Sequence, residues 1–141
     1  MNMSKGAQQY AKLNRSTAVE NANPHQLIQM LYQGALDSLQ ATLGYMERRD
    51  FEAKGKSIGR AMTIIGGLQG MLDHEKGGDI ARNLDSLYDY MSVRLFEASK
   101  ENDPSKVSEV IKLLREVKAG WDGIAQEAAR IFEETGNSAQ G

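Results

Sequence analysis

Apolar residues recur at intervals of three or four along four long segments of this 141-residue chain, a spacing typical of amphipathic helices. The last segment is the most regular, because its apolar residues step alternately by three and four in a heptad seam. The seam comprises Val107, Val110, Leu114, Val117, Trp121, Ile124, Ala128 and Ile131. No segment alternates apolar and polar residues as a half-buried strand does, so the pattern predicts an all-α fold.

Each predicted helix follows a residue whose side chain can accept a hydrogen bond from the first helical turn. These capping residues are Asn23, Asp50, Asp79 and Asp103. Two of them precede a proline, which suits the first helical position because its missing N–H would be unpaired there. The second helix is expected to pass Leu72 and end near Gly77 and Gly78, where glycines favour non-helical geometry. Four helices with short connections predict an antiparallel four-helix bundle over residues 23–134.

Polar segments flank the predicted bundle on both sides. In residues 1–22 the apolar side chains are too scattered to form a helix face, so we expect a mobile N-terminal arm. The arm leaves room for a short extra helix at about residues 16–21. Residues 135–141 are small and polar, and they predict a disordered tail.

The composition argues against several classes of protein. The chain has no cysteine, which excludes disulfides and thiol catalysis and suits a reducing cytosol. A net charge of −2 predicts no nucleic-acid partner. No stretch approaches the roughly 18 apolar residues that a membrane span requires, and the N-terminus lacks the pattern of a secretory leader. We therefore expect a cytoplasmic protein that does not insert into a membrane.

Two short motifs resemble parts of catalytic sites, and both are incomplete. The triplet Gly55-Lys56-Ser57 could end a phosphate-binding loop, but Asp50 stands where that loop needs its first glycine. The pair His74-Glu75 could begin a zinc-protease motif, but Gly78 stands where the second histidine is needed. The sequence therefore predicts no enzyme, no catalytic residue, no cofactor and no metal site.

Binding signals are stronger, and glycines carry the first of them. Four glycines lie within twelve residues of the second predicted helix: Gly59, Gly66, Gly67 and Gly70. Each costs about 0.5–1 kcal/mol relative to alanine in a helix interior, so their number indicates a purpose. One such purpose is the close approach of another helix, either within the bundle or from a partner.

Apolar residues beyond the inward stripes carry the second binding signal. These residues are Met30, Ile64, Met71, Val93 and Phe96. A bundle helix needs one buried face, so extra apolar positions suggest a surface for an amphipathic partner helix. The alternative is a bundle of uneven geometry that simply buries them.

Several blocks of the sequence resemble the FliS family of flagellin-specific export chaperones. The first is the opening helix, Asn23-Pro24-His25-Gln26-Leu27-Ile28-Gln29-Met30-Leu31-Tyr32-Gln33-Gly34-Ala35. The most specific is Leu72-Asp73-His74-Glu75-Lys76-Gly77-Gly78-Asp79-Ile80-Ala81-Arg82-Asn83-Leu84, followed by Leu87-Tyr88-Asp89-Tyr90-Met91. In the last block, Leu87, Tyr88 and Met91 have the spacing of core residues, and only Tyr90 points elsewhere.

The resemblance implies a monomeric or weakly dimeric cytosolic chaperone. Such a protein binds the disordered C-terminal helical segment of flagellin, prevents premature polymerisation and delivers it to the flagellar type III export gate. It further implies that Tyr10 takes part in docking, and that the arm occupies a client groove when no client is bound. With the outward apolar positions, Tyr10 and Tyr90 complete the predicted partner-binding residues.

Two other functions remain compatible with a helical bundle. One is a structural bundle that self-associates through the heptad seam of the fourth helix. The other is a histidine phosphotransfer domain that uses His25 or His74, although a first-turn histidine such as His25 is more simply structural.

Overall fold

The computed structural model describes residues 23–123 and 131–132, and this part of the chain is almost entirely helical. Its helices are α1 (Pro24–Arg48), α2 (Phe51–Gly70), α3 (His74–Glu101) and α4 (Pro104–Asp122). The β pairing found within the described residues is a single antiparallel bridge between Leu72 and Phe132. The predicted all-α class is confirmed. The predicted arm, residues 1–22, and the predicted tail, residues 135–141, lie outside the described residues.

The helices form a ring in which each one packs against two neighbours. Helix α1 contacts α2 and α4, helix α3 also contacts α2 and α4, and the α1–α2 contact is the most extensive. The connections between consecutive helices are two or three residues long, so neighbours run antiparallel. The antiparallel four-helix bundle is therefore confirmed.

Local capping explains where three of the helices begin. The side chain of Asn23 accepts a hydrogen bond from the backbone N–H of Gln26, whose own side chain accepts one from the backbone N–H of Asn23. Asp50 accepts from the N–H of Ala53 in the same way. Asp103 caps α4 just ahead of a proline. These three predicted caps are confirmed.

The boundary between α2 and α3 differs from the prediction. Helix α2 ends at Gly70, and α3 begins at His74 because Asp73 accepts hydrogen bonds from the N–H groups of Glu75 and Lys76. The prediction that Asp79 caps α3 is therefore wrong. Gly78 has φ 52° and ψ −127°, a non-helical backbone conformation that favours glycine, so α3 consists of two helical pieces that meet at a kink there. The predicted departure from helical geometry at Gly78 is therefore present, but it lies within α3.

The end of α4 also differs from the prediction. The heptad seam predicts a helix that continues to Ile131, but α4 ends at Asp122. Beyond the undescribed residues 124–130, Ile131 accepts a hydrogen bond from the N–H of Asp73 at 2.9 Å, and both Ile131 and Phe132 are buried. Gly120 and Gly123 weaken the last turn, which helps the helix to stop early.

Two buried tyrosines meet at the centre of the bundle. Tyr32 of α1 and Tyr88 of α3 are fully buried, and their hydroxyl oxygens lie 2.5 Å apart. Each hydroxyl therefore satisfies the other across the diagonal of the ring. Burial raises the pKa of both phenols well above the usual value. The predicted core positions Tyr88 and Met91 are confirmed, and Leu87 packs against the core while partly exposed.

A buried lysine joins α2 to the end of α3. Lys54 is 7% exposed, and its ammonium donates to the carbonyl of Ser99 at 2.9 Å and to the side chain of Asn102 at 3.2 Å. These acceptors belong to the C-terminal turn of α3, where a cation complements the helix dipole. The Gly55-Lys56-Ser57 triplet follows inside α2 and is not a loop, so it cannot wrap a phosphate.

The tyrosine pair predicts a specific pattern of stability. Tyr32→Phe leaves the Tyr88 hydroxyl buried without its partner, which should lower the free energy of unfolding by about 1–3 kcal/mol. The double variant with Tyr88→Phe should recover most of that loss. Urea unfolding of the four proteins at pH 7 measures the coupling, and additive losses would contradict the paired arrangement.

The same pair predicts loss of stability at alkaline pH. The folded-state pKa values of both phenols are raised. Their contribution to the free energy of unfolding is therefore complete below the unfolded-state pKa of about 10 and declines as the pH rises above that value. Between pH 9 and 11.5 the double Phe variant should lose less unfolding free energy than the parent chain. Equal losses would show that other groups dominate alkaline unfolding.

Candidate functional site

The contacts between α2 and α3 fix the register of an open surface on the outside of the bundle. Near one end, Lys54 reaches Ser99, and near the other, Gln69 donates to the carboxylates of Asp85 and Asp89 at 2.8 and 2.7 Å. Because the helices are antiparallel, Gly59 lies roughly level with Phe96. We call this surface the α2–α3 face and define it by Gly55, Gly59, Met62, Gly66, Val93 and Phe96.

Glycines line the α2 side of this face with no neighbour above them. Gly55, Gly59, Gly66 and Gly70 follow one another at helical spacing, and a Cβ built on any of them meets no atom within 4 Å. Close packing inside the bundle therefore does not require these four glycines. Gly67, the other glycine that the sequence analysis singled out, is buried within the bundle.

Large apolar side chains line the α3 side of the face. Val93 is 55% exposed and Phe96 is 62% exposed, which makes them the most exposed large apolar residues of the described chain. Met62 of α2 is half-buried and packs against the core. Phe96 and Val93 are therefore exposed on the helix that packs against the glycine-rich α2.

Tyr90 and Met30 are accessible, but they lie elsewhere. Tyr90 is 43% exposed, and its hydroxyl donates to Glu109 of α4 at 2.5 Å. It lies on the side of the bundle where α3 packs against α4, which we call the α3–α4 flank. That hydrogen bond raises the pKa of Tyr90 and lowers the pKa of Glu109. Met30 is half-buried on α1 and packs against the core. The structure therefore does not bring these two residues together with Val93 and Phe96.

Ile64 and Met71 lie in the core, contrary to the prediction. Both were expected to widen an outer apolar surface, but each is only 1% exposed and belongs to the core. A single-stripe helical wheel fails here because α2 packs against α1 on one side and α3 on the other, and so buries more than one face. The predicted role of Tyr10 lies outside the described residues.

Ion pairs between charged side chains make the α3–α4 flank polar. Arg94 donates to Glu109 at 2.7 Å, and Lys106 contacts Glu97 at 3.1 Å and Glu101 at 3.0 Å. Hydrogen bonds from Lys106 lower the pKa of Glu97. A polar network of this kind is already satisfied, so an apolar partner would gain little by displacing it.

Two grooves lie on either side of α1, and both have charged residues in their lining. One of about 540 Å³ lies between α1 and α2, with small side chains such as Ala41 and Ser57 and with Arg60 among its lining residues. The other, of about 440 Å³, lies between α1 and α4 and includes Asp37 and Arg115. Neither is lined by a large exposed aliphatic or phenylalanine side chain.

His25 has a structural role at the end of the bundle. Its Nε2 lies 2.7 Å from the carbonyl oxygen of Trp121, and the Trp121 indole N–H donates to the His25 carbonyl at 3.1 Å. The two rings stack with centroids 4.8 Å apart, and Phe132 packs edge-on against the indole. These contacts join the start of α1 to the end of α4, which favours the structural interpretation of His25 over phosphotransfer.

The heptad seam of α4 faces inward. Val107, Val110 and Leu114 are fully buried, so within the described residues the seam forms the core of one molecule and offers no surface for self-association. Across residues 23–123 and 131–132 no three potential ligand side chains from histidine, aspartate or glutamate converge on a metal-sized site. None of the four described helices combines the length and apolarity of a membrane span.

Comparison with known proteins agrees with this architecture. The family profile described as flagellar protein FliS matches residues 6–128. The flagellar secretion chaperone FliSB of Pseudomonas aeruginosa is 51% identical over 121 residues, covering 86% of this chain and 96% of that protein. The flagellar secretion chaperone FliS of Salmonella typhimurium is 42% identical over 131 residues, covering 92% and 96%. The Vibrio cholerae FliS is 39% identical over 120 residues, covering 85% and 88%.

A profile match over most of the chain and relatives at this level of identity confirm the resemblance seen in the sequence blocks. The inward-facing α4 seam and the structural role of His25 agree with that assignment. The chain belongs to the FliS family of flagellar secretion chaperones.

Proposed function

We propose that this protein holds the C-terminal segment of flagellin in the cytosol, prevents its premature polymerisation and delivers it to the flagellar type III export gate. The observation that carries the proposal is the α2–α3 face, where an open row of glycines lies beside exposed Val93 and Phe96. The names of the relatives, which are flagellar secretion chaperones, support the same class of client.

The chemistry of the face suits a segment that folds as it binds. A short isolated helix is marginal in water, so a disordered client must offset its ordering cost by burying apolar surface. Phe96 and Val93 supply such surface, and the glycines let the backbone of the client helix approach closely. A helix in a groove is the recognition mode that this arrangement fits.

Binding measurements on surface and core variants test the proposal. Phe96→Asp should leave the unfolding free energy nearly unchanged, because the side chain is exposed, yet weaken binding of a fluorescent flagellin C-terminal segment at least tenfold. Ile64→Asp should instead unfold the bundle, because it places an unpaired charge in the core. Unchanged affinity in a folded Phe96→Asp protein would exclude the α2–α3 face as the client site.

The glycine row predicts opposite effects on stability and binding. Gly59→Ala and Gly66→Ala should each raise the unfolding free energy by about 0.5–1 kcal/mol, because an added methyl group meets no atom. Each should also weaken binding of the flagellin segment about tenfold, because the methyl group occupies space that the client backbone needs. Gly120→Ala on α4 is the control, since it also adds a methyl group in open space but away from the face. If all three variants bind the flagellin segment with equal affinity, the glycine row has no role in binding.

A variant of Tyr10 tests delivery to the export gate separately from client binding. We propose that the N-terminal arm contributes to docking at the export gate through this side chain. Tyr10→Ala should keep both the fold and the affinity for the flagellin segment while reducing flagellin export and swimming motility. Export at the level of the parent chain would contradict a docking role for Tyr10.

A further inference from the structure

The turn between α1 and α2 carries two arginines that lie over two aromatic rings. The guanidinium of Arg48 is 5.3 Å from the centre of the Tyr45 ring, and that of Arg49 is 5.1 Å from the centre of the Phe51 ring. Phe51, the first residue of α2, is 49% exposed. We call these four residues the α1–α2 tip.

The backbone of Arg49 adopts a conformation that favours glycine. Arg49 ends α1 with φ 56° and ψ 36°, a left-handed geometry in which Cβ crowds the backbone. Among the described residues, the other non-glycine residue with positive φ is Asn102, a residue type that tolerates this geometry and that here accepts a hydrogen bond from Lys54. The guanidinium of Arg49 instead lies over the exposed Phe51 ring. An arginine held in this geometry at the surface indicates a role beyond ending the helix.

The two guanidinium groups of the α1–α2 tip are accessible to an anion. Both arginines are exposed, and every ion pair found among residues 23–123 and 131–132 involves other cations. A guanidinium that lies over an aromatic ring keeps N–H groups free, and these can bind a carboxylate through two hydrogen bonds. Stacking also restricts the arginine side chains before a partner arrives, so less entropy is lost on binding.

The carboxylates of the same turn decide between kinds of anionic partner. Glu47, Asp50 and Glu52 are all exposed close to the two arginines. Asp50 caps α2 by accepting from the N–H of Ala53, and Glu52 lies 3.8 Å from Lys56. A uniformly anionic surface, such as a membrane or a nucleic-acid backbone, would meet these carboxylates and be repelled. A protein segment with separate carboxylates can contact the two guanidinium groups and avoid the acidic side chains.

We infer that the α1–α2 tip binds an acidic segment of a partner protein, with carboxylates on Arg48 and Arg49 and an apolar side chain against Phe51. The tip shares no residue with the α2–α3 face. The inference therefore goes beyond the proposed function and does not depend on flagellin as the client.

A groove extends this site away from the tip. Tyr45 lines the groove of about 540 Å³ between α1 and α2, and the cations Lys56 and Arg60 line it further along. An acidic segment that starts at the tip can therefore continue along the groove. The tip ends α1 at the opposite end from Asn23, and α1 is about 37 Å long at 1.5 Å per residue. The site is therefore far from the point where residues 1–22 join the bundle.

Nuclear magnetic resonance titration of the isotope-labelled full chain tests the inference directly. The probe is a synthetic peptide in which a phenylalanine lies between two pairs of glutamates, and the control peptide has glutamines in their place. The acidic peptide should shift the amide resonances of residues 45–56 to saturation, and the glutamine peptide should bind about fivefold more weakly. Equal shifts with the two peptides would overturn the inference.

Charge reversal tests whether the tip or the net charge attracts the peptide. Arg48→Glu combined with Arg49→Glu should weaken binding of the acidic peptide about tenfold while the helical circular dichroism stays unchanged. The matched control combines Lys112→Glu with Arg115→Glu, which reverses two exposed cations on α4 and should leave the affinity nearly unchanged. Equal losses in the two double variants would show that the peptide responds to net charge alone, which would overturn the site.

A glycine variant separates binding from stability at Arg49. Arg49→Gly relieves the crowding of the left-handed backbone, so the urea midpoint of unfolding should rise while the affinity for the acidic peptide falls about fivefold. A lower midpoint would show that Arg49 is retained for stability. An unchanged affinity would show that its side chain takes no part in binding. Either result would overturn the inference.

Two further measurements exclude other occupants of the tip. The chain should not sediment with vesicles of equal parts phosphatidylglycerol and phosphatidylethanolamine, and sedimentation that the Arg48→Glu, Arg49→Glu variant abolishes would assign the tip to a membrane instead. Prior saturation with the flagellin C-terminal segment should leave the affinity for the acidic peptide unchanged. Competition between the two would place the tip within the client site and overturn a separate partner.

Discussion

Helix α2 is held in shape by its neighbours, and the candidate site depends on that support. Five of its residues are glycines, so its intrinsic helix propensity is low. Packing against α1 and α3 compensates, because Ile58, Ile64, Ile65 and Leu68 are almost completely buried. The outer side of α2 is thereby free to omit side chains. A helix with stronger intrinsic propensity would carry side chains along that row and would keep a partner backbone at a distance.

Polar contacts fix the bundle around this helix. The ammonium of Lys54 caps α3, and the paired hydroxyls of Tyr32 and Tyr88 join α1 to α3 at the centre. At the other end, the stacked rings of His25 and Trp121 connect α1 to α4, and Phe132 packs against the indole. Each contact satisfies polar atoms that burial would otherwise penalise. Together they favour a rigid framework that presents the α2–α3 face in one geometry, which limits the ordering cost on the chaperone side of the complex.

Features set by local chemistry were predictable from the sequence, and those set by packing were not. The caps at Asn23 and Asp103 depend on a few adjacent residues, so they were predicted correctly. The cap of α3 was predicted at Asp79, but Asp73 caps the helix, because the turn after Gly70 places its carboxylate next to the N–H groups of Glu75 and Lys76. The outward positions of Val93 and Phe96 followed from helical spacing. Ile64 and Met71 were misassigned because their burial depends on where α1 packs, and the open space above the glycines required coordinates.

We propose that a disordered flagellin segment folds as a helix on an apolar face of this bundle. Titration calorimetry of the full chain with the C-terminal flagellin segment at several temperatures, together with circular dichroism of the mixture, tests it most directly. Folding of the segment on the bundle should give saturable one-to-one binding, a negative heat-capacity change and a helical signal larger than the sum of the separate components. Binding without added helix, or with a heat-capacity change near zero, would contradict it.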